Sequence, residues 1–247
     1  MKQVLLTVKN TERLTESVWR CRLCGDVSAV TAPGQFVNLR LDGLFLRRPI
    51  SVCDLDGEAV TIVWKTVGKG TERLTGCEGQ TLDVLTGLGN GYDLSPAGER
   101  PLLIGGGVGV PPLYYLCKRL LSEGKRPTVI LGFNTEKEIF LEKEFASLGV
   151  PVIVATADGS RGVRGFVTDA MDTEAVGEYT HFYTCGPEPM LKAVYRASRT
   201  DGQFSFEERM GCGFGACMGC SCKTVTGYKR ICRDGPVLRK GEILWEK

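Results

Sequence analysis

A chain of 247 residues, 43% of them hydrophobic, is long enough for two ordinary domains and an appendage with sizeable cores. Its 31 basic and 29 acidic residues leave a net charge of +2 with no run of like charge, which gives no support to a nucleic-acid or membrane-surface protein. The opening MKQVLLTVKNTERLTES is too briefly apolar for a signal peptide or a membrane span, so a cytoplasmic setting is expected; there, 11 cysteines read as metal ligands and buried thiols, not bridges.

The first hundred residues carry strand signals in succession: VLLTVKN, SVWRCRL, GQFVNLRL, RPISVCDL, AVTIVWKTV and QTLDVLTGL, punctuated by Gly, Pro and Asp. No helical period is sustained there, and the spacing predicts an antiparallel barrel of about six strands with one short helix near Gly70 to Leu74. Near Pro96 to Pro101 the pattern changes. PLLIGGGVGVPPLYYLCKRLLSEGKRPTVILGFN reads as buried strand, glycine turn, helix ending at Gly124, and strand. VPVIVATADG and THFYTCGP continue the alternation, which predicts a parallel sheet with helices on both faces. The helix MLKAVYRAS follows Pro187 and Pro189, and a tail from about Asp201 ends in Trp245. The division expected is 1–97 for the barrel, 98–200 for the nucleotide-type domain and 201–247 for a small C-terminal domain.

That tail contains MGCGFGACMGCSC, Met210 to Cys222. Cys212, Cys217 and Cys220 form C-x4-C-x2-C and Cys232 follows at a distance, the spacing of plant-type 2Fe-2S ferredoxins. Four thiolates hold two irons, two to each. Gly211, Gly213, Gly215, Ala216 and Gly219 let the backbone approach a cluster and turn amide N–H groups toward its sulfides. A structural zinc site would use two C-x2-C pairs across a longer spacer, and a Rieske centre needs two histidines where this chain has only His181. Reduced core cysteines are the bland alternative. Cys222 lies two residues past Cys220 and could stand in for it; the C-x2-C rule favours Cys220.

Two further segments suggest phosphate-bearing cofactors. RRPISV places Arg48, Pro49, Ile50 and Ser51 in a short extended run, and VGKGTERL puts Gly68, Gly70 and Thr71 at a helix start, where free N–H groups favour a pyrophosphate. Each piece alone is equally an ordinary strand or an ordinary cap. GGGVGVPPL (Gly105, Gly106, Gly107, Gly109) follows an apolar strand and opens a helix at Pro111, where a parallel sheet offers a phosphate site. It is not G-x-G-x-x-G, since Val110 occupies the third glycine position, and a plain strand-to-helix turn would look the same. At the end of the next strand Gly132, Phe133, Asn134 and Thr135 precede Glu136, with neither an arginine nor a strand-end acid, so NAD is only mildly preferred to NADP.

Taken in order, these motifs resemble the ferredoxin-NADP reductase superfamily. The resemblance implies FAD on the barrel, with Arg48 neutralising its pyrophosphate, Ser51 near the flavin ring, Pro49 and Ile50 in the same FAD-binding segment, Val63, Trp64 and Lys65 contributing from the adjacent strand, and Gly70 and Thr71 in the second phosphate turn. It also implies NAD at Gly105, Gly106, Gly107 and Gly109, with Cys185, Gly186 and Pro187 of YTCGPEPML beside the nicotinamide. No general base is needed for hydride transfer.

With EERMGCGFGACMGCSC and ICRDGPVL added, the whole chain is similar to the electron-transfer subunits of NAD-linked (class 1B) dihydroorotate dehydrogenases. That similarity implies FAD, one 2Fe-2S cluster on Cys212, Cys217, Cys220 and Cys232, and an FMN-containing catalytic partner in a two-plus-two heterotetramer. Electrons would run from dihydroorotate through FMN, cluster and FAD to NAD in pyrimidine biosynthesis. A related FAD/2Fe-2S subunit of a transhydrogenase, hydrogenase or sulfite reductase, and a zinc-stabilised scaffold without activity, are the alternatives.

Overall fold

The computed structural model describes residues 1–245. Six strands close into an antiparallel barrel in the order β1-β2-β5-β4-β3-β6. They are β1 (Lys2–Arg13), β2 (Val18–Cys24), β3 (Phe36–Leu39), β4 (Arg48–Asp56), β5 (Ala59–Lys65) and β6 (Thr81–Leu88), and α1 (Lys69–Leu74) lies between the last two. Alternation sorts their side chains: Leu6, Val8, Cys21, Leu23, Val37, Leu39, Ile62 and Trp64 fill the barrel, with one face of each strand inward. Closure removes the edges that an open sheet would leave exposed.

The second sheet has the order β10-β9-β8-β7-β11-β12-β15. Its strands are β7 (Leu102–Gly106), β8 (Thr128–Phe133), β9 (Val152–Thr156), β10 (Val163–Arg164), β11 (Phe182–Cys185), β12 (Gly202–Ser205) and β15 (Val237–Arg239), all parallel to their neighbours except β15. Leu103, Val129, Leu131 and Tyr183 point to one face, with Leu113, Leu116 and Leu120 of α2 (Pro111–Ser122) and Phe145 of α3 (Glu142–Ser147). Leu102, Ile104, Ile130 and Phe182 point to the other, with Val167 and Ala170 of α4 (Val167–Met171) and Leu191 and Val194 of α5 (Glu188–Ala197). Both faces are covered, which is why the strands read as continuous apolar runs.

The tail does not stand apart from this sheet. Residues 202–205 add the parallel strand β12, and 237–239 return as the antiparallel edge strand β15. Between them a cysteine loop and the hairpin β13 (Ser221–Thr224) and β14 (Gly227–Arg230) protrude, so the segment is an insertion between two strands of the second sheet. Ion pairs are among the contacts that fix the barrel to this unit. Lys118 of α2 donates to both carboxylate oxygens of Asp54 on β4 at 2.7 and 2.8 Å, and Arg20 on β2 pairs with Glu144 of α3 at 2.8 Å.

His181 precedes β11 and is 4% exposed, at the sheet end opposite the glycine turn, so the one histidine belongs to packing. Its Nε2 lies 3.3 Å from the amide Nε2 of Gln203, and an amide nitrogen only donates, so that ring nitrogen is the acceptor of a neutral imidazole. Burial lowers its pKa from the ordinary 6.5, with Asp201 and Asp93 opposing. A lowered folded value means that the stabilisation is present above about pH 6.5 and is lost as the pH falls through the folded pKa. Chemical denaturation from pH 7.5 to 5 should therefore show a falling unfolding free energy, and His181→Gln should flatten that slope.

Candidate electron-transfer site

The four expected ligand thiols are brought to one region and pair two by two. Cys212 accepts from the backbone N–H of Ala216 at 3.2 Å and of Cys217 at 3.5 Å, and it is hydrogen-bonded to the Cys217 thiol. Cys220 accepts from the N–H of Cys232 at 3.4 Å and is bonded to the Cys232 thiol, and the charge of Cys212 reaches Cys232 as well. Burial works against ionising Cys212, but those N–H groups and the Cys217 thiol outweigh it and hold the thiol down at about 6. Burial, then the neighbouring Cys220 and Cys212, push Cys232 up to about 12. Two thiol pairs held this close together fit a site completed by positive iron, which would bind them as thiolates. Among the described residues no three His, Cys, Asp or Glu side chains gather tightly enough to hold a single ion.

Outside these two pairs, Cys222 lines a cavity of about 250 Å³ with Lys223, Thr224, Pro187 and Glu208, and burial raises its pKa. Cys21, Cys53, Cys77 and Cys117 are buried thiols, and all eleven cysteines are free.

On the barrel, the structure unites two motifs that were weak apart. A Cβ added to Gly70 at the start of α1 would lie 2.0 Å from Nε of Arg48, so the guanidinium from β4 rests across the helix start. Its hydrogen bonds run to the carbonyls of Leu46 and Arg47, and it pairs with no carboxylate among the described residues. A half-buried, unpaired arginine at a helix N-terminus is a fit cradle for a pyrophosphate. Thr71 closes the turn by accepting from the Val67 N–H at 2.9 Å and donating to the Gly68 carbonyl at 3.0 Å.

Pro49 lies across the ladder from Asn38 and Ser51 across from Phe36, so these four share the outer barrel face turned toward the thiol loop. Ile50 packs with the barrel interior. Of the adjacent strand, Val63 faces the second domain, Lys65 is exposed, and Trp64 is 2% exposed inside the barrel with Nε1 donating to the Thr71 carbonyl at 3.0 Å. The Trp64 indole therefore holds α1, and only its backbone is left for a ligand.

At the carboxyl edge of the second sheet, Cys185 sits beside Gly105 in register. A Cβ on Gly109 would lie 2.3 Å from the Cys185 carbonyl oxygen and 2.5 Å from the Gly186 nitrogen, so the GGGVG and CGP turns touch through bare backbone. Met190 closes over Gly106 and Gly186, and Gly107, at φ +51°, faces open space. Pro187 caps α5. Pro111 and Pro112 at the start of α2 have no N–H, so a phosphate there relies on the N–H groups of the 107–109 turn and on the helix dipole. Burial pushes the Cys185 thiol up to about 12, with the Ser205 hydroxyl opposing and Glu207 adding. It stays a neutral thiol at physiological pH.

Sequence reasoning missed the residues that join these parts. Asn90 donates its backbone N–H to the Gly235 carbonyl at 2.7 Å and Nδ2 to the Val237 carbonyl at 2.7 Å, and its Oδ1 accepts from the Val237 N–H at 3.1 Å. Asn38 donates Nδ2 to the Cys212 carbonyl at 3.3 Å. Neither asparagine lies in a motif; only the contact across more than a hundred residues reveals it.

A barrel with an arginine strand, a glycine turn at a parallel sheet's carboxyl edge and a four-thiol loop define a ferredoxin-reductase-like oxidoreductase chain with an iron–sulfur segment. Residues 103–196 match the oxidoreductase NAD-binding domain family, and 207–244 match the iron–sulfur cluster binding domain of dihydroorotate dehydrogenase B. The dihydroorotate dehydrogenase B (NAD(+)) electron transfer subunit of Geobacillus sp. (strain WCH70) is 43% identical, covering 99% of each chain; that of Shouchella clausii (strain KSM-K16) is 44% identical over 98% of each. Among solved structures, a chain from an NADH-dependent reduced ferredoxin-NADP oxidoreductase is similar at a TM-score of 0.89 and 32% identity, over 99% of this chain and 91% of that one.

The chain belongs to the family of dihydroorotate dehydrogenase B (NAD(+)) electron transfer subunits. It is thus a subunit of an NAD-linked oxidoreductase that works beside a catalytic chain. No helix among the described residues is long and apolar enough to cross a membrane.

Proposed function

We propose that this chain carries FAD against β4 and α1, a two-iron cluster on Cys212, Cys217, Cys220 and Cys232, and NAD at the 105–109 and 185–187 turns. In this reading it connects an FMN-containing dihydroorotate dehydrogenase catalytic chain to NAD in cytoplasmic pyrimidine biosynthesis, as a two-plus-two heterotetramer. The domain division that goes with it is 1–97 for the barrel and 98–206 with 237–245 for the nucleotide domain, with 207–236 as the cluster-bearing insertion in place of a separate 201–247 domain. The two-by-two pairing of Cys212 with Cys217 and of Cys220 with Cys232 carries the proposal.

When bound, the cluster supplies one-electron transfer and the flavin exchanges single electrons for a hydride. The protein's part is to position and insulate. Arg48 compensates phosphate charge beside Gly70, the Gly109–Cys185 contact fixes the nicotinamide turn, and the neutral Cys185 thiol offers an uncharged wall. The backbone N–H groups of Ala216 and Cys217 stabilise negative charge on Cys212 sulfur. Cys217 is exposed, and Phe214 and Met218 beside it are 43% and 53% exposed, which suits a docked donor chain. Near the end of β8, Asn134 Nδ2 holds the Glu138 carboxylate at 2.9 Å, an acid where a ribose hydroxyl would be read, which favours NAD.

Likeness to the reduced ferredoxin-NADP oxidoreductase chain keeps a second reading open, in which the electrons serve another complex. Metal and flavin analysis is the first check. About two irons per FAD are expected in the purified protein, with NADH oxidation by artificial acceptors in the isolated chain; zinc without flavin would refute the proposal.

A further inference from the structure

Asn38 occupies an unusual position for an amide. It lies in the middle of β3, 1% exposed, on the outer barrel face with Phe36, while its neighbours Val37 and Leu39 fill the barrel interior. Nδ2 donates to the carbonyl of Cys212, and a Cβ on the next residue, Gly213, would come 2.3 Å from that same nitrogen. Gly213 has φ +78°, so the loop bends at this contact in a conformation that glycine favours.

The asparagine is itself fixed from behind. Its carbonyl accepts from Nη1 of Arg47 at 3.3 Å, and Nη2 of Arg47 lies 2.9 Å from each carboxylate oxygen of Asp83. Across the ladder Asn38 faces Pro49 of the arginine strand and Leu85 of β6. One ladder pair and one hydrogen bond thus separate the strand read as flavin-binding from a ligand of the cluster.

Oδ1 is buried and accepts no hydrogen bond among the described residues. A buried acceptor without a donor is costly, and an aliphatic side chain would fill this seam between Phe36 and the thiol loop without that penalty. Packing alone does not account for an asparagine here.

We propose that Asn38 is a positioning residue for electron transfer: its amide fixes the Cys212 side of the iron–sulfur loop to the flavin barrel, and Oδ1 faces the seam between the two cofactors. The inference rests on the reading that FAD and the cluster are both carried. Loss of the hydrogen bond frees the Cys212 carbonyl and alters the orientation and the dipoles around a ligand sulfur, which are levers on cluster potential.

The test uses the full-length protein, purified with its cofactors, as wild type, Asn38→Leu and Asn38→Asp. Leucine removes both ends of the amide; a carboxylate keeps the shape and cannot donate to the carbonyl. Iron and flavin contents are measured first, and their absence from the wild type would refute the proposed function and this inference with it, whereas the outcomes below bear on this inference alone. With both present, the variants should retain iron and FAD and reduce an artificial acceptor from NADH at the wild-type rate, since that route bypasses the cluster. The cluster's EPR g values and midpoint potential should shift. Its reduction from NADH in stopped flow should slow about tenfold, a misplacement effect of modest size. If Asn38→Leu does not fold, Asn38→Asp answers the same question. Variants indistinguishable from wild type in EPR, potential and cluster reduction would overturn the proposal.

Discussion

Cys232→Ser should yield a protein that keeps its flavin but loses the visible absorption of an iron–sulfur cluster, while Cys222→Ser should remain fully coloured. Cys232 is 2% exposed, bonded to the Cys220 thiol and within the field of Cys212, so its removal breaks one of the two thiol pairs. A serine hydroxyl ionises far less readily and is a harder, weaker ligand for iron than thiolate. The FMN-to-flavin route should then fail altogether. Cys222 lies on β13, where its register partner is Lys229, and it is among the residues lining the cavity beside Pro187. Absorbance and iron content decide the matter. Bleaching by Cys222→Ser but not by Cys220→Ser would reverse the ligand assignment.

Gly109→Ala should be the most damaging single change at the nicotinamide turn. The added methyl meets backbone, the Cys185 carbonyl carbon at 2.4 Å and oxygen at 2.3 Å, so no rotamer change relieves the clash. Such overpacking costs about 1–3 kcal/mol, and the two turns must separate. Separation by about 1 Å misaligns a hydride acceptor enough to cost on the order of a hundredfold in rate. NADH-dependent acceptor reduction should fall by that order while flavin and iron contents stay at wild-type levels. Gly241→Ala, where the space is open and φ is not in the left-handed region, controls for mere glycine loss. A Gly109→Ala protein with full NADH activity would remove the turn contact from the account.

Much of this was legible in the chain because the chemistry is local. C-x4-C-x2-C carries its own geometry, since a loop of that length holds its thiols together whatever surrounds it, and the strand-to-helix glycine turn is fixed by adjacent residues. The barrel strands could be read from alternation because one face of each is buried. Residues 202–205 and 237–239 were read as tail because a short strand shows its sheet partner only in three dimensions: β12 pairs with β11, and β15 pairs with β12 from across the cysteine insertion. Trp64 was read by resemblance as a flavin neighbour, but the pleat turns its indole inward. The meeting of Arg48 with Gly70 and the asparagine joints at Asn38 and Asn90 depend on barrel closure and on contacts across long stretches of chain. No local pattern announces them.

The most direct measurement is anaerobic NAD reduction by dihydroorotate, using this chain co-purified with an FMN-containing dihydroorotate dehydrogenase catalytic chain. The wild-type complex should form orotate and NADH in equal amounts. With Cys232→Ser no NADH should form, although the NADH-to-artificial-acceptor activity of the same sample survives. NADH formation from dihydroorotate at the wild-type rate in the Cys232→Ser complex would contradict a relay through the cluster.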